Sequence, residues 1–198
     1  MNPRRGFVAP LPLLALFGAF LVAIGYLIVA SLTRRSAPVF SVSARTRQRP
    51  ANWQQVGDTL TIDATNGDAW QYVSLAEGRV LTPPDTAGWE IAAQRYRLIS
   101  TPTGAIADVS STPFDSIRAS NIRAPFEVTT PGSPPANAAI THWYRYNLLT
   151  HLLEPNGHVY VVRGGNGTMY RLAILSYYCP HLVAGCVTLR YAPVADTR

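Results

Sequence analysis

The chain of 198 residues contains no lysine, so its positive charge is carried by 17 arginines against 11 acids, a net of +6. It has only two cysteines, which excludes a disulfide-framework miniprotein and leaves room for one bridge. Acids are missing from the whole N-terminal part. None precedes Asp58, whereas Arg4, Arg5, Arg34, Arg35, Arg45, Arg47 and Arg49 all fall there. From Pro50 onward 10 arginines meet 11 acids, a net of −1. The basic excess therefore belongs to a segment, and no nucleic-acid partner is expected, since that needs cations clustered on a folded face. No G-x-S-x-G and no phosphate-binding loop occurs. Gly164-Gly165-Asn166-Gly167 lies between two β-rich runs, with no helix to receive a phosphate. The chain is read as a non-enzyme, with no catalytic residue and no metal site expected.

What is present begins with an uncharged stretch from Gly6 to Thr33. Residues 11–33 are read as one transmembrane helix, since about 20 apolar residues at ~1.5 Å each cross a hydrocarbon core of ~30 Å. The run is longer than the ~7–15 residues of a signal-peptide core, so an uncleaved single-pass anchor is expected. It holds no ionisable group that would mark an ion path. Residues 1–10 form a short leader to it, and 34–52 read as a basic linker. In that linker Arg34, Arg35, Arg45, Arg47 and Arg49 are candidates for contact with a lipid surface or with a membrane partner. Counted literally, these arginines place the C-terminal domain in the cytoplasm. The cysteine pair points the other way. The reading adopted is a single-pass membrane protein with its C-terminal domain outside the cytoplasm.

Residues 53–198 show strand signals in series, and one predominantly antiparallel β domain is expected. His158–Arg163 and Thr168–Tyr178 flank the glycine-rich turn and read as a hairpin. Trp89–Ile99 reads as one strand by its alternation of Tyr96 and Leu98 with Arg95 and Arg97, while His142–Leu153 fits helix or strand. The Pro-, Ser- and Thr-rich region 101–139 has little periodicity and reads as a long loop of the functional or partner-bound kind. Cys179 and Cys186 close an eight-residue loop, read as a disulfide in preference to a zinc site shared with His181.

Three blocks carry a family likeness: DAWQYVSLAEGRVL at 68–81, GWEIAAQRYRLIST at 88–101, and WYRYNLLTHLLEPNGHVYVVRGGNGTMYRLAILSYY at 143–178, continuing through GCVTLRY at 185–191. In this order they resemble the HmuY-like family of bacterial haem-binding proteins, over about two thirds of the chain. The resemblance implies an all-β fold, an extracytoplasmic location and, in that family, haem held between two axial His or Met side chains. Because the family is bacterial, a single-pass anchor with its domain outside the cytoplasm means an inner membrane and a periplasmic domain. No axial ligand is carried over by position. The chemistry of His142, His151, His158, His181 and Met169 suits iron, and His151 and Met169 are the candidates taken, since both sit in the matched C-terminal block beside aromatics that could line a porphyrin pocket. Two functions follow. The first is a non-catalytic accessory subunit docked on integral membrane proteins, with no cofactor of its own. By architecture alone that resembles single-pass subunits of bacterial photosynthetic reaction-centre and light-harvesting complexes. The alternative is a haem- or porphyrin-binding protein.

Overall fold

The computed structural model describes residues 11–32, 37–44, 49–82 and 88–195. Two units result, divided after Ser36.

In the first unit Leu11–Leu32 is one helix, α1, of 22 residues. At 1.5 Å per residue it is about 33 Å long. Its mean hydropathy is 2.6, and none of its residues is buried. Pro12 falls in the first turn, where a missing N–H costs no intrahelical bond. The helix is long and apolar enough to cross a membrane.

The second unit begins at Ala37, well before the expected boundary at 53. Val39 bridges to Tyr178, and the Ser176 hydroxyl donates to the Pro38 carbonyl. Ser43 and Thr61 exchange two bonds: the Ser43 N–H donates to the Thr61 carbonyl (3.1 Å) and the Thr61 N–H to the Ser43 hydroxyl (2.9 Å). Residues 37–44 of the expected linker are thus part of the folded domain.

After a helical turn, α2 (Trp53–Val56), the chain forms β1 (Asp58–Asp63), β2 (Gln71–Ser74), β3 (Arg79–Val80), β4 (Ile91–Gln94), β5 (Arg97–Ser100) and β6 (Ala105–Asp108). It continues through β7 (Tyr144–Asn147), β8 (Leu152–Pro155), β9 (Val159–Arg163), β10 (Met169–Tyr178) and β11 (Ala184–Pro193). One sheet has the order β1-β11-β10-β9-β6 and a second β3-β2-β4-β5, while β7 and β8 pair as a separate hairpin. Every pairing between these strands is antiparallel. Leu60, Ile62, Leu172, Ile174, Val187 and Leu189 from the larger sheet share one core with Val73, Ile91, Ala93 and Leu98 from the smaller. Such sharing of inner faces is what holds two sheets together. The all-β expectation is met, and Cys179–Cys186 is a disulfide.

Three local readings change. Trp89–Ile99 is two strands, because Arg95 turns the chain at φ 52°. That left-handed conformation is uncommon without glycine. It is held by the Arg95 guanidinium, which donates to the carbonyls of Thr65 (3.1 Å) and Ala184 (3.0 Å). His142–Leu153 resolves as β7, a turn and the start of β8. Region 101–139 is no plain loop. Its Ala105–Asp108 is an edge strand of the larger sheet, and Phe114–Ser116 and Ala119–Asn121 are 3-10 turns. Ile106 and Glu127 exchange backbone bonds of 2.9 and 2.8 Å, and the Ser100 N–H donates to the Thr129 hydroxyl at 2.9 Å. The segment therefore lies against strands of both sheets.

Candidate functional site

Three surfaces of the β domain hold chemistry. The first is a cavity of ≈ 240 Å³ lined by Tyr96, Arg97, Leu98, Pro134, Pro135, Ala136, Thr141 and Tyr144. Its aromatic wall is rigid. The Trp143 indole N–H donates to the Tyr96 carbonyl (2.7 Å), and Tyr96 meets Tyr144 edge-on at 5.8 Å. Trp143 itself packs against Tyr144 (5.1 Å) and Tyr177 (5.9 Å). Burial pushes the Tyr177 hydroxyl above the usual phenol range, so it stays protonated.

The second surface is the end of the larger sheet around Asn156. Its carboxamide donates to the backbone carbonyl of His142 (2.6 Å) and accepts from the backbone N–H of His158 (3.0 Å), which ties these two backbone segments together. His158 Nδ1 lies 2.7 Å from Asp108 Oδ2. Burial alone would raise the Asp108 pKa, but bonds from Ser110 and His158 outweigh it and hold the carboxyl below its ordinary range. The Tyr160 hydroxyl is buried here; burial, with Asp108 nearby, raises its pKa well above the usual phenol range, and the Asn156 side chain opposes the shift. A carboxylate on Nδ1 leaves Nε2 to face outward, the arrangement that commonly orients a ligating imidazole.

The third surface lies beside Trp89, where Glu90 is 4% exposed and accepts the Leu75 N–H at 2.7 Å. Burial is the main reason its pKa lies above the ordinary value of 4.5; bonds from the Leu75 and Ala76 backbone oppose it. An acid with a raised native pKa binds more protons folded than unfolded. Its stabilising share is full below the unfolded value and is lost as pH rises through the native one. Glu90→Gln is expected to flatten this decline while keeping an oxygen for the Leu75 N–H. Denaturant midpoints at pH values from about 4 to 8 test this linkage; parallel profiles for parent and variant would refute it.

The residues singled out from sequence fall differently. Arg34, Arg35, Arg45 and Arg47 lie outside the described residues. Arg49 is half-buried and engaged with the domain: its guanidinium sits 4.3 Å over the Trp53 ring and donates to the Leu75 carbonyl (3.0 Å). His151 lies in the β7–β8 turn, its Nδ1 2.6 Å from the Tyr146 hydroxyl. Met169 opens β10 and packs with Ala107, Val109, Ile117 and Val161. Leu153, two residues from His151, donates its N–H to the Tyr178 hydroxyl at the opposite end of β10. Ten residues of strand put those ends about 30 Å apart. His151 and Met169 therefore do not face one ligand. The histidine that sequence reasoning did not favour is His158, whose imidazole is paired with Asp108 across 50 residues of sequence.

Comparison with solved structures gives a concordant result. The chain matches an HmuY analog of Tannerella forsythia in its apo form with TM-score 0.58 and 16% identity, over 71% of this chain and 96% of that one. A candidate HmuY-like heme binding protein of Bacteroides vulgatus matches with TM-score 0.57 and 19% identity, over 72% and 94%. A candidate lipoprotein of Bacteroides fragilis matches with TM-score 0.57 and 18% identity, over 69% and 90%. The β domain has the HmuY-like fold. No protein-family model and no curated protein matches the chain.

Haem chemistry asks for two axial donors facing across one plane. In this HmuY-like domain His158, its imidazole paired with Asp108, is a donor of the right kind. Among the described residues, the cavities beside Arg97 and Trp89 are lined by no histidine or methionine.

Proposed function

We propose that the protein is a membrane-tethered binding subunit that does no chemistry of its own. In this reading α1 anchors it in a bacterial inner membrane, and the HmuY-like domain works on the periplasmic side, docked on an integral membrane protein. A disulfide suits an oxidising compartment, and one solved structure of like fold is a candidate lipoprotein. The observation that carries docking is the β7–β8 apex. Leu148 is 77% exposed and Tyr146 50% exposed, and Arg145 stands beside them. Exposed apolar and aromatic side chains next to arginine have the composition of an interface core. None of the structures compared above is a photosynthetic protein, so the partner is named only by its class.

A haem-class ligand is the second reading, favoured by the fold and by the Asp108-oriented His158. One experiment separates the two: purification of the full chain in mild detergent, followed by mass spectrometry and an absorption spectrum of the same fraction. Integral membrane proteins in fixed ratio, with no Soret band from the chain itself, are the expected result. A lone chain that carries a Soret band, lost in His158→Ala, would replace docking by haem binding.

A further inference from the structure

The cavity beside Arg97 has features that neither reading uses. Its volume of ≈ 240 Å³ is below the ~300–1,000 Å³ of drug-sized sites. A porphyrin is too large for it; a single ring bearing a short polar arm is not. Two tyrosines set edge to face form one wall, Pro134 and Pro135 line it too, and Leu98 and Ala136 complete the apolar lining. Among the described residues of this lining Arg97 is the one ionisable cation, and none is an acid. The Arg97 guanidinium lies 5.1 Å from the centre of the Tyr96 ring. Among the described residues no carboxylate is paired with it, whereas Arg79, Arg145 and Arg190 each have one.

The wall is also fixed before any ligand arrives. The Arg95 turn is tied to Thr65 and Ala184, and the Tyr96 carbonyl is tied to Trp143. A site whose rings are already ordered loses little side-chain freedom on binding. Arginine offers a planar fork that matches a carboxylate, and aromatic rings favour edge or offset contact with another ring.

We propose that this cavity binds an aromatic carboxylate, the ring lodged between Tyr96, Tyr144 and the prolines and the carboxylate on Arg97. A free small acid and the C-terminal aromatic residue of a peptide both present that chemistry. Calorimetric titration of the full chain in detergent micelles tests it with phenylacetate and with N-acetyl-Gly-Phe, each set against its primary amide. The acid of at least one pair is expected to bind about tenfold or more tightly than its amide, the size of a charge-assisted bond. Binding of phenylacetate assigns a free acid as the source, and binding of the peptide acid alone assigns a chain terminus. Arg97→Gln is expected to make acid and amide equal, and Arg97→Lys to keep part of the preference. Equal binding of acid and amide to the parent, no binding of either acid at millimolar concentration, or an undiminished preference in Arg97→Gln would each overturn the site.

Discussion

Trp143→Ala is expected to cost about 3–5 kcal/mol of stability, the range for removing a fully buried large aromatic side chain. Trp143 is 1% exposed and is among the largest fully buried side chains of the domain. It touches Tyr144 and Tyr177 ring to ring and supplies the hydrogen bond to the Tyr96 carbonyl. Two losses combine in the alanine variant: a void in the core, and the loss of the part-buried bond to the Tyr96 carbonyl. Trp143→Phe separates them, since most of the ring remains while the N–H is gone; about 0.5–1.5 kcal/mol is expected from the lost bond. Denaturant unfolding of the full chain in detergent micelles measures both. A loss below about 1 kcal/mol in Trp143→Ala would mean that the core closes over the void, contrary to the packing described.

Opening the Cys179–Cys186 bridge is the second large effect. For a loop of eight residues the chain-entropy relation gives about 2.5 kcal/mol, taken from the unfolded state and not from native contacts. The double variant Cys179→Ser/Cys186→Ser should therefore show a lower denaturation midpoint. Cys186 is wholly buried in β11, so a serine there adds a polar atom to the core. Cys179→Ala/Cys186→Ala avoids that added term and isolates the cross-link. Treatment of the parent with a reductant should reproduce the alanine pair. If the alanine pair unfolds at the same denaturant concentration as the oxidised parent, the bridge is not a stabilising element.

Much of this architecture was legible in the residues because local chemistry and fold agree. The charge-free run ending at Leu32 has one stable solution, an apolar helix, and Gly164–Gly167 flanked by β-branched residues has one easy solution, a hairpin. Cys179 and Cys186 are near enough in sequence to meet across a short loop. Other features depend on contacts between distant residues. Arg95 adopts a turn conformation only because Thr65 and Ala184 offer carbonyls to its guanidinium, so no glycine announces the break. Ala105–Asp108 is too short and alanine-rich to declare a strand, and it pairs because Val159–Arg163 presents an edge. The Arg97 cavity gathers residues near 96, 135 and 144, which no spacing rule connects. His151 lies in the β7–β8 turn, whose following strand bonds to the Tyr178 end of β10, whereas Met169 opens β10 at its other end.

The coverings of the sheet margins bear on how a partner can be recognised. Ser43 occupies backbone groups of β1, the outermost strand on one side of the larger sheet, and Glu127 does the same for β6 on the other. Thr129 takes a backbone N–H of β5, at the margin of the smaller sheet. A guest strand arriving at these positions finds donors and acceptors already spent, so β-augmentation, the mode used by many peptide-recognition domains, is obstructed there. The same occupancy guards against templated stacking of one copy on the next, the hazard of bare sheet edges. Recognition at these margins has to be a matter of side-chain shape and charge.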